Sequence, residues 1–192
     1  MTTQPEAGEL LVGSYLRLVN GCEVVSYNQR SDKEGEQLEV DVLGLQKTAD
    51  GEMNVYVCEV VTHLNGLSYS GTPDTDRWEQ FGNSNYQYSL ERLWRKFGSD
   101  KEYAETLFDF ADSYTFQLWS PIVRGDSEEE YLLGGLHALA DEFEAETDNE
   151  LDLVINDTYT KKIRELEQVA STTEKGYGEL GFRMLQILEH LQ

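Results

Sequence analysis

Two acidic residues of this chain stand in neighbourhoods that make them chemically conspicuous. Glu59 lies in Val55-Tyr56-Val57-Cys58-Glu59-Val60-Val61, an otherwise apolar run, and Asp41 lies in Leu38-Glu39-Val40-Asp41-Val42, where apolar and acidic side chains alternate. Successive side chains of a strand point to opposite faces, so Glu59 shares a face with Val57 and Val61. An isolated buried carboxylate is costly, so Glu59 must be paired, protonated or bound to a metal. Adjacent strands lie about 4.8 Å apart. If the two runs pair in register, Asp41 and Glu59 point at one spot, with Glu39 on the Asp41 face. Carboxylates sharing a site repel one another unless a cation lies between them, and hard oxygen donors select Mg²⁺ or Mn²⁺. A structural alternative stands beside this: Glu39 and Asp41 line the wet face of an antiparallel strand, and Glu59 is an internally hydrogen-bonded acid.

Placing those acids requires a sheet, and the hydrophobic spacing supplies one. Leu11, Tyr15 and Leu18, with Val12, Leu16 and Val19, predict a helix over 6–19. Strands follow over 22–29, 37–46 and 53–63, the third apolar on both faces as in a doubly covered strand. Tyr86, Leu90, Leu93, Trp94 and Phe97 predict a helix over 84–97 stopped by Gly98, and a short helix follows over 101–112. A fourth strand is expected over 116–123, with Pro121 marking an edge or its end. An acidic helix over 127–145, a short strand over 151–155 and helices over 158–170 and 179–191 complete the chain. The polar stretches 29–37 and 65–76 read as a hairpin loop and a surface loop. The fold class is α/β: a helix followed by a three-stranded meander, then helices and further strands on one mixed sheet, with C-terminal helices. No repeat or linker divides residues 1–192, which read as a single domain.

A helix, then a meander with an Asp on one strand and Glu-x-Lys on the next, then helix and strand, resembles the PD-(D/E)XK restriction-endonuclease-like superfamily. The resemblance covers a core of about 6–123, with about 124–192 as a helical elaboration. It implies a nuclease in which Asp41 and Glu59 hold Mg²⁺, joined by a helix-borne acid at Glu9. It implies also that a Lys two residues after the Glu stabilises the attacking water or the phosphorane charge. This chain has Val61 there, and Val cannot polarise water. Relatives that recruit the cation from the following helix make Lys96, Arg92 or Arg95 its replacement. His63, two residues beyond Val61, is a second candidate, because imidazole suits general base work near neutral pH.

The remaining signals concern partners. Arg77, Arg92 and Arg95 interleave with Trp78, Phe81, Tyr86, Tyr88 and Trp94, a mixture that either holds a nucleic-acid strand or forms a core helix with a charged outer side. Lys plus Arg total 15 against 37 Asp plus Glu, a net charge of −22. Such acidity suits a high-salt (halophilic) cytoplasm, imitation of a nucleic acid docking on a basic protein partner, or a solvated face remote from any site. No apolar stretch reaches the roughly 20 residues of a membrane span. Met1–Glu6 lacks the basic and apolar regions of an export signal, and Cys22 and Cys58 make no disulfide framework. The expectation is a cytoplasmic protein with reduced thiols and no membrane partner, its C-terminal helices available for homo-oligomerisation. Two functions follow: a divergent Mg²⁺-dependent nuclease acting on DNA, or a catalytically inactive nuclease-fold interaction module or acidic mimic.

Overall fold

Alternating and helically spaced apolar residues produce five strands and five helices among the residues that the computed structural model describes, 4–30, 39–124 and 131–191. In chain order they are α1 (Ala7–Leu18), β1 (Val24–Arg30), β2 (Glu39–Lys47), β3 (Met53–Val60), α2 (Ser84–Leu107), β4 (Ser113–Ser120), α3 (Leu132–Thr147), β5 (Leu151–Ile155), α4 (Asn156–Thr172) and α5 (Leu180–Glu189). The strands form one sheet in the order β1-β2-β3-β4-β5. The first two pairings are antiparallel and the last two parallel. A parallel pair needs a crossover, and α2 and α3 provide the two that this sheet requires. The α/β meander with a mixed sheet and C-terminal helices is therefore the observed fold. The hairpin loop expected over 29–37 lies outside the described residues from 31 onward.

A hydrophobic layer fills each side of the sheet. On one side Val57, Leu93, Phe97, Phe116 and Phe143 pack with Trp78 and Phe81. Phe143 of α3 is the hub, its ring 5.0 Å from Phe116 and 5.9 Å from Phe97. On the other side Val12 and Leu16 of α1 meet Val42, Cys58, Trp119, Leu166 and Phe182. Both cysteines are buried and unbridged. Burial pushes the Cys22 thiol up to about 12 and lifts Cys58 as well, which leaves both as packing groups. Among the described residues no helix is long and apolar enough to cross a membrane.

Several boundaries differ from expectation, among them the fourth strand, which covers Ser113–Ser120 and not 116–123. β3 ends at Val60, not 63. Pro121 follows the last residue of β4, an interior strand, so it marks an end and not an edge. Most consequentially, Gly98 does not stop the helix: α2 runs unbroken through 24 residues. It opens on Asn83, whose side chain accepts the Asn85 and Tyr86 amides at 3.0 and 3.2 Å. Asp100 and Ala104 are both buried beyond the expected break, so tertiary packing overrides the weak helix propensity of one exposed glycine. A Cβ built on Gly98 meets nothing within 4 Å. Gly98→Ala is accordingly expected to stabilise the protein by about 0.5–1 kcal/mol, measured as a rise in the urea midpoint at unchanged m-value. A helix that truly broke at this point would show no gain.

Candidate functional site

β2 and β3 pair with Val42 opposite Cys58 and Leu43 opposite Val57, and one step further the same register sets Asp41 opposite Glu59. Beyond Val42 a side chain takes over from the backbone ladder: the Val60 amide donates to Asp41 Oδ2 at 2.7 Å. Lys96 of α2 enters between the two acids. Its Nζ donates to Asp41 Oδ1 at 3.1 Å and to Glu59 Oε1. Glu59 is only 2% exposed, and its second oxygen, Oε2, has no hydrogen-bond partner. Burial pushes the Glu59 carboxyl upward, against the attraction of the Lys96 ammonium. Burial acts on Lys96 in the opposite sense, but Glu59 and Asp41 outweigh it and hold the ammonium above its ordinary range.

Two further acids stand near this trio. Asp100 lies one helical turn beyond Lys96, is 1% exposed, and leaves Oδ2 without a partner. Burial raises its pKa to about 8, with Lys96 opposing and Asp41 adding. Glu9 comes from the first turn of α1. A Cβ on the preceding Gly8 would lie 2.3 Å from Thr62 Cγ2, so only glycine lets that turn close on the segment following β3. Glu9 Oε2 accepts the Glu6 amide at 2.9 Å and completes a capping box. Burial raises the Glu9 pKa, and the nearby Asp41 charge adds to the rise. Asn28 ties this acid to the sheet. It stands opposite Asp41 between the pairs Tyr27–Val42 and Gln29–Val40, has a φ of 53°, and hydrogen-bonds Glu9 through its side chain. Asn tolerates that left-handed conformation better than most residues.

Asp41, Glu59, Lys96 and Glu9 are thus gathered by the fold; the other sequence candidates are placed differently. Val61 is buried in the layer facing α2 and α3, so the position of the motif Lys is core. His63 does not share a strand face with Glu59, because β3 has already ended. It is exposed in a turn whose Gly66 amide donates to the His63 carbonyl at 2.9 Å, and its ring lies edge-on to Tyr69 at 5.8 Å. Arg77 stacks on Trp94 at 3.9 Å and binds Glu146 at 2.7 Å and Glu142, clamping the loop before α2 to α3. Arg95 faces Asp74 at 4.0 Å, and Arg92 lies over the Tyr69 ring at 4.3 Å.

The donor set at the centre consists of carboxylate oxygens, the chemistry that suits Mg²⁺ or Mn²⁺, and the buried Glu59 Oε2 has no hydrogen-bond partner. Among the described residues no group of three or more His, Cys, Asp or Glu side chains is assembled to hold a metal. Mg²⁺ binds through one or two carboxylates, with water and phosphate filling its other positions, so Asp41 and Glu59 fit it. No family model, curated protein or solved structure matches this chain.

Two outcomes are expected from these charges. Lys96→Met leaves Glu59 buried without its counter-charge and should lower unfolding free energy by about 3 kcal/mol. Adding Glu59→Gln should recover part of that loss, a coupling read by chemical denaturation of the single and double variants. Asp100 has a folded pKa far above its ordinary 3.8. The stability it contributes is therefore complete below about pH 4 and disappears as pH rises through about 8. Asp100→Asn should raise stability at and above pH 8 relative to the parent chain and change it little near pH 4; parallel curves at both pH values would contradict the assignment.

Proposed function

We propose that this chain is a divergent Mg²⁺-dependent nuclease-like protein that hydrolyses phosphodiester bonds in DNA. The observation that carries the reading is the Lys96 ammonium seated between Asp41 and Glu59, which face each other from adjacent strands. A helix, an antiparallel three-stranded meander, a helix and a parallel strand, with the acids on the second and third strands, support the resemblance to the PD-(D/E)XK superfamily. Lys96 answers the objection raised by Val61, since it brings a cation from α2 to the place left empty by the strand.

The residues divide the work as follows. Asp41 and Glu59 would hold the divalent ion, with Glu9 nearby as a third acid. When bound, that ion supplies a more acidic water and neutralises charge on the phosphate. Asp41 is oriented by the Val60 amide, so its carboxylate is fixed before substrate arrives. Lys96 is kept charged by the two acids and offers N–H donors to the phosphate oxygens as negative charge builds there. A polyanion approaches a chain of net charge −22 only where salt screens the repulsion, and at about 1 M salt the screening length is about 3 Å. High salt therefore belongs to this reading.

Val61 and the acidity also favour a second reading, a catalytically inactive module or acidic nucleic-acid mimic that docks on a basic protein. α5 turns Leu180, Met184, Ile187 and Leu188 outward, each at least half exposed, an apolar face for such a partner or for a homo-oligomer.

The test is cleavage of end-labelled single-stranded and duplex DNA in high-salt buffer with Mg²⁺, Mn²⁺ or EDTA. Cleavage is expected with either ion and not in EDTA. Asp41→Asn, Glu59→Gln and Lys96→Met should each lower the rate about 100-fold or more. A folded parent chain that cuts neither substrate and takes up no Mg²⁺ by calorimetry would overturn the nuclease reading in favour of the module.

A further inference from the structure

The segment between β3 and α2 spends buried polar groups on holding its own shape. Ser89, fully buried on α2, receives the Tyr69 amide at 2.7 Å, and Glu91, also buried, receives the Asp74 amide at 2.8 Å. A third tether joins the Leu67 amide to the Ile122 carbonyl just past β4, at 2.8 Å. These bonds fix a connecting loop beside one stripe of α2. Along that stripe Arg92, Lys96 and Asp100 follow at intervals of four residues, from the surface inward: Arg92 is exposed, Lys96 joins the two acids, and Asp100 is buried. The Arg92–Tyr69 stack is therefore the outward continuation of the acid–lysine centre. The electrostatics agree: burial raises the Tyr69 phenol, and the Glu59 and Asp41 charges add to it while Lys96 and Arg92 oppose.

We propose that this loop is the docking rim for a single strand of nucleic acid, with Arg92 gripping a phosphate and the exposed His63 ring, held edge-on to Tyr69, receiving an unpaired base. The inference rests on reading Asp41, Glu59 and Lys96 as a phosphodiester-cleaving centre. Its chemistry follows from how the three arginines of this region are engaged. Arg77 and Arg95 face carboxylates, whereas the exposed Arg92 has its guanidinium carbon 4.3 Å over the Tyr69 ring, and its N–H donors suit a phosphate. The exposed His63 ring, edge-on to Tyr69, offers a π-face that an unpaired base can use and a stacked duplex base cannot. A duplex would press two phosphate backbones against an acidic surface; a single strand needs one short track of cations.

The measurement is fluorescence anisotropy of a labelled short oligo(dT) and of a labelled duplex of equal length, in EDTA so that neither is cut. Oligo(dT) should bind about tenfold more tightly than duplex, and Arg92→Ala and Tyr69→Ala should each weaken it about tenfold. Tyr69→Phe, which keeps the ring, should retain affinity, and Arg92→Ala should leave the thermal midpoint unchanged. Parent-like binding by Arg92→Ala, equal affinity for duplex, or no oligonucleotide binding at all overturns the rim. Cleavage by the parent chain with Mg²⁺ reports separately on the centre: cutting with an unaltered KM in Arg92→Ala sinks the rim and keeps the centre, while oligo(dT) binding without cutting keeps the rim as a binding site and sinks the centre.

Discussion

A buried carboxylate near the C-terminal end of a doubly covered strand is the constraint around which this molecule is organised. Glu59 has almost no contact with solvent, and its charge is tolerable only because an ammonium lies against it. That ammonium is carried by a helix, not by the strand that carries the acid. Lys96 in turn is stable as a cation because it meets Asp41 as well as Glu59. The two strands, their register and the position of α2 over the sheet are thus linked through one side chain. Loss of Lys96 would leave both acids without their counter-charge, which is why the position of α2 bears on the stability of the sheet.

The scaffold around the trio is built to fix positions. Asp41 replaces a rung of the β2–β3 ladder by accepting the Val60 amide, so its carboxylate belongs to the sheet's own hydrogen bonding. Gly8 lets α1 close on the segment after β3 and sets Glu9 within the electrostatic reach of Asp41. Arg77 holds the approach to α2 against α3 through Trp94, Glu142 and Glu146. Buried Ser89 and Glu91 of α2 each accept an amide of the loop. Negative groups outnumber positive ones around Lys96, as they do in the whole chain.

Much of this was legible in the residue order, for reasons that are local. Period-two alternation marked Asp41 and the apolar run around Glu59, and both lie in strands that pair as neighbours because a short connection joins them. The α/β class and the sheet's mixed character followed from strands that come first in succession and then with helices between them. What escaped did so for identifiable reasons. Gly98 suggested a break in α2, and that break concealed the four-residue interval between Lys96 and Asp100. An Asn inside a strand was the one signal for Asn28, but its left-handed backbone is visible only once β1 and β2 are paired.

Residue types and their spacing were thus enough to establish which strands carry the acids and which face Glu59 shares, since these depend on neighbours within a few positions. The choice of Lys96 over Arg92, Arg95 and His63 was made by packing. It depends on how far α2 extends, how it crosses the sheet and where β3 stops, and each of those is set by side chains distant in sequence, such as Phe97, Phe116 and Phe143. A helix stripe has no preferred partner until a hydrophobic layer turns it toward one, and here that layer directs Lys96 inward and leaves Arg92 at the rim.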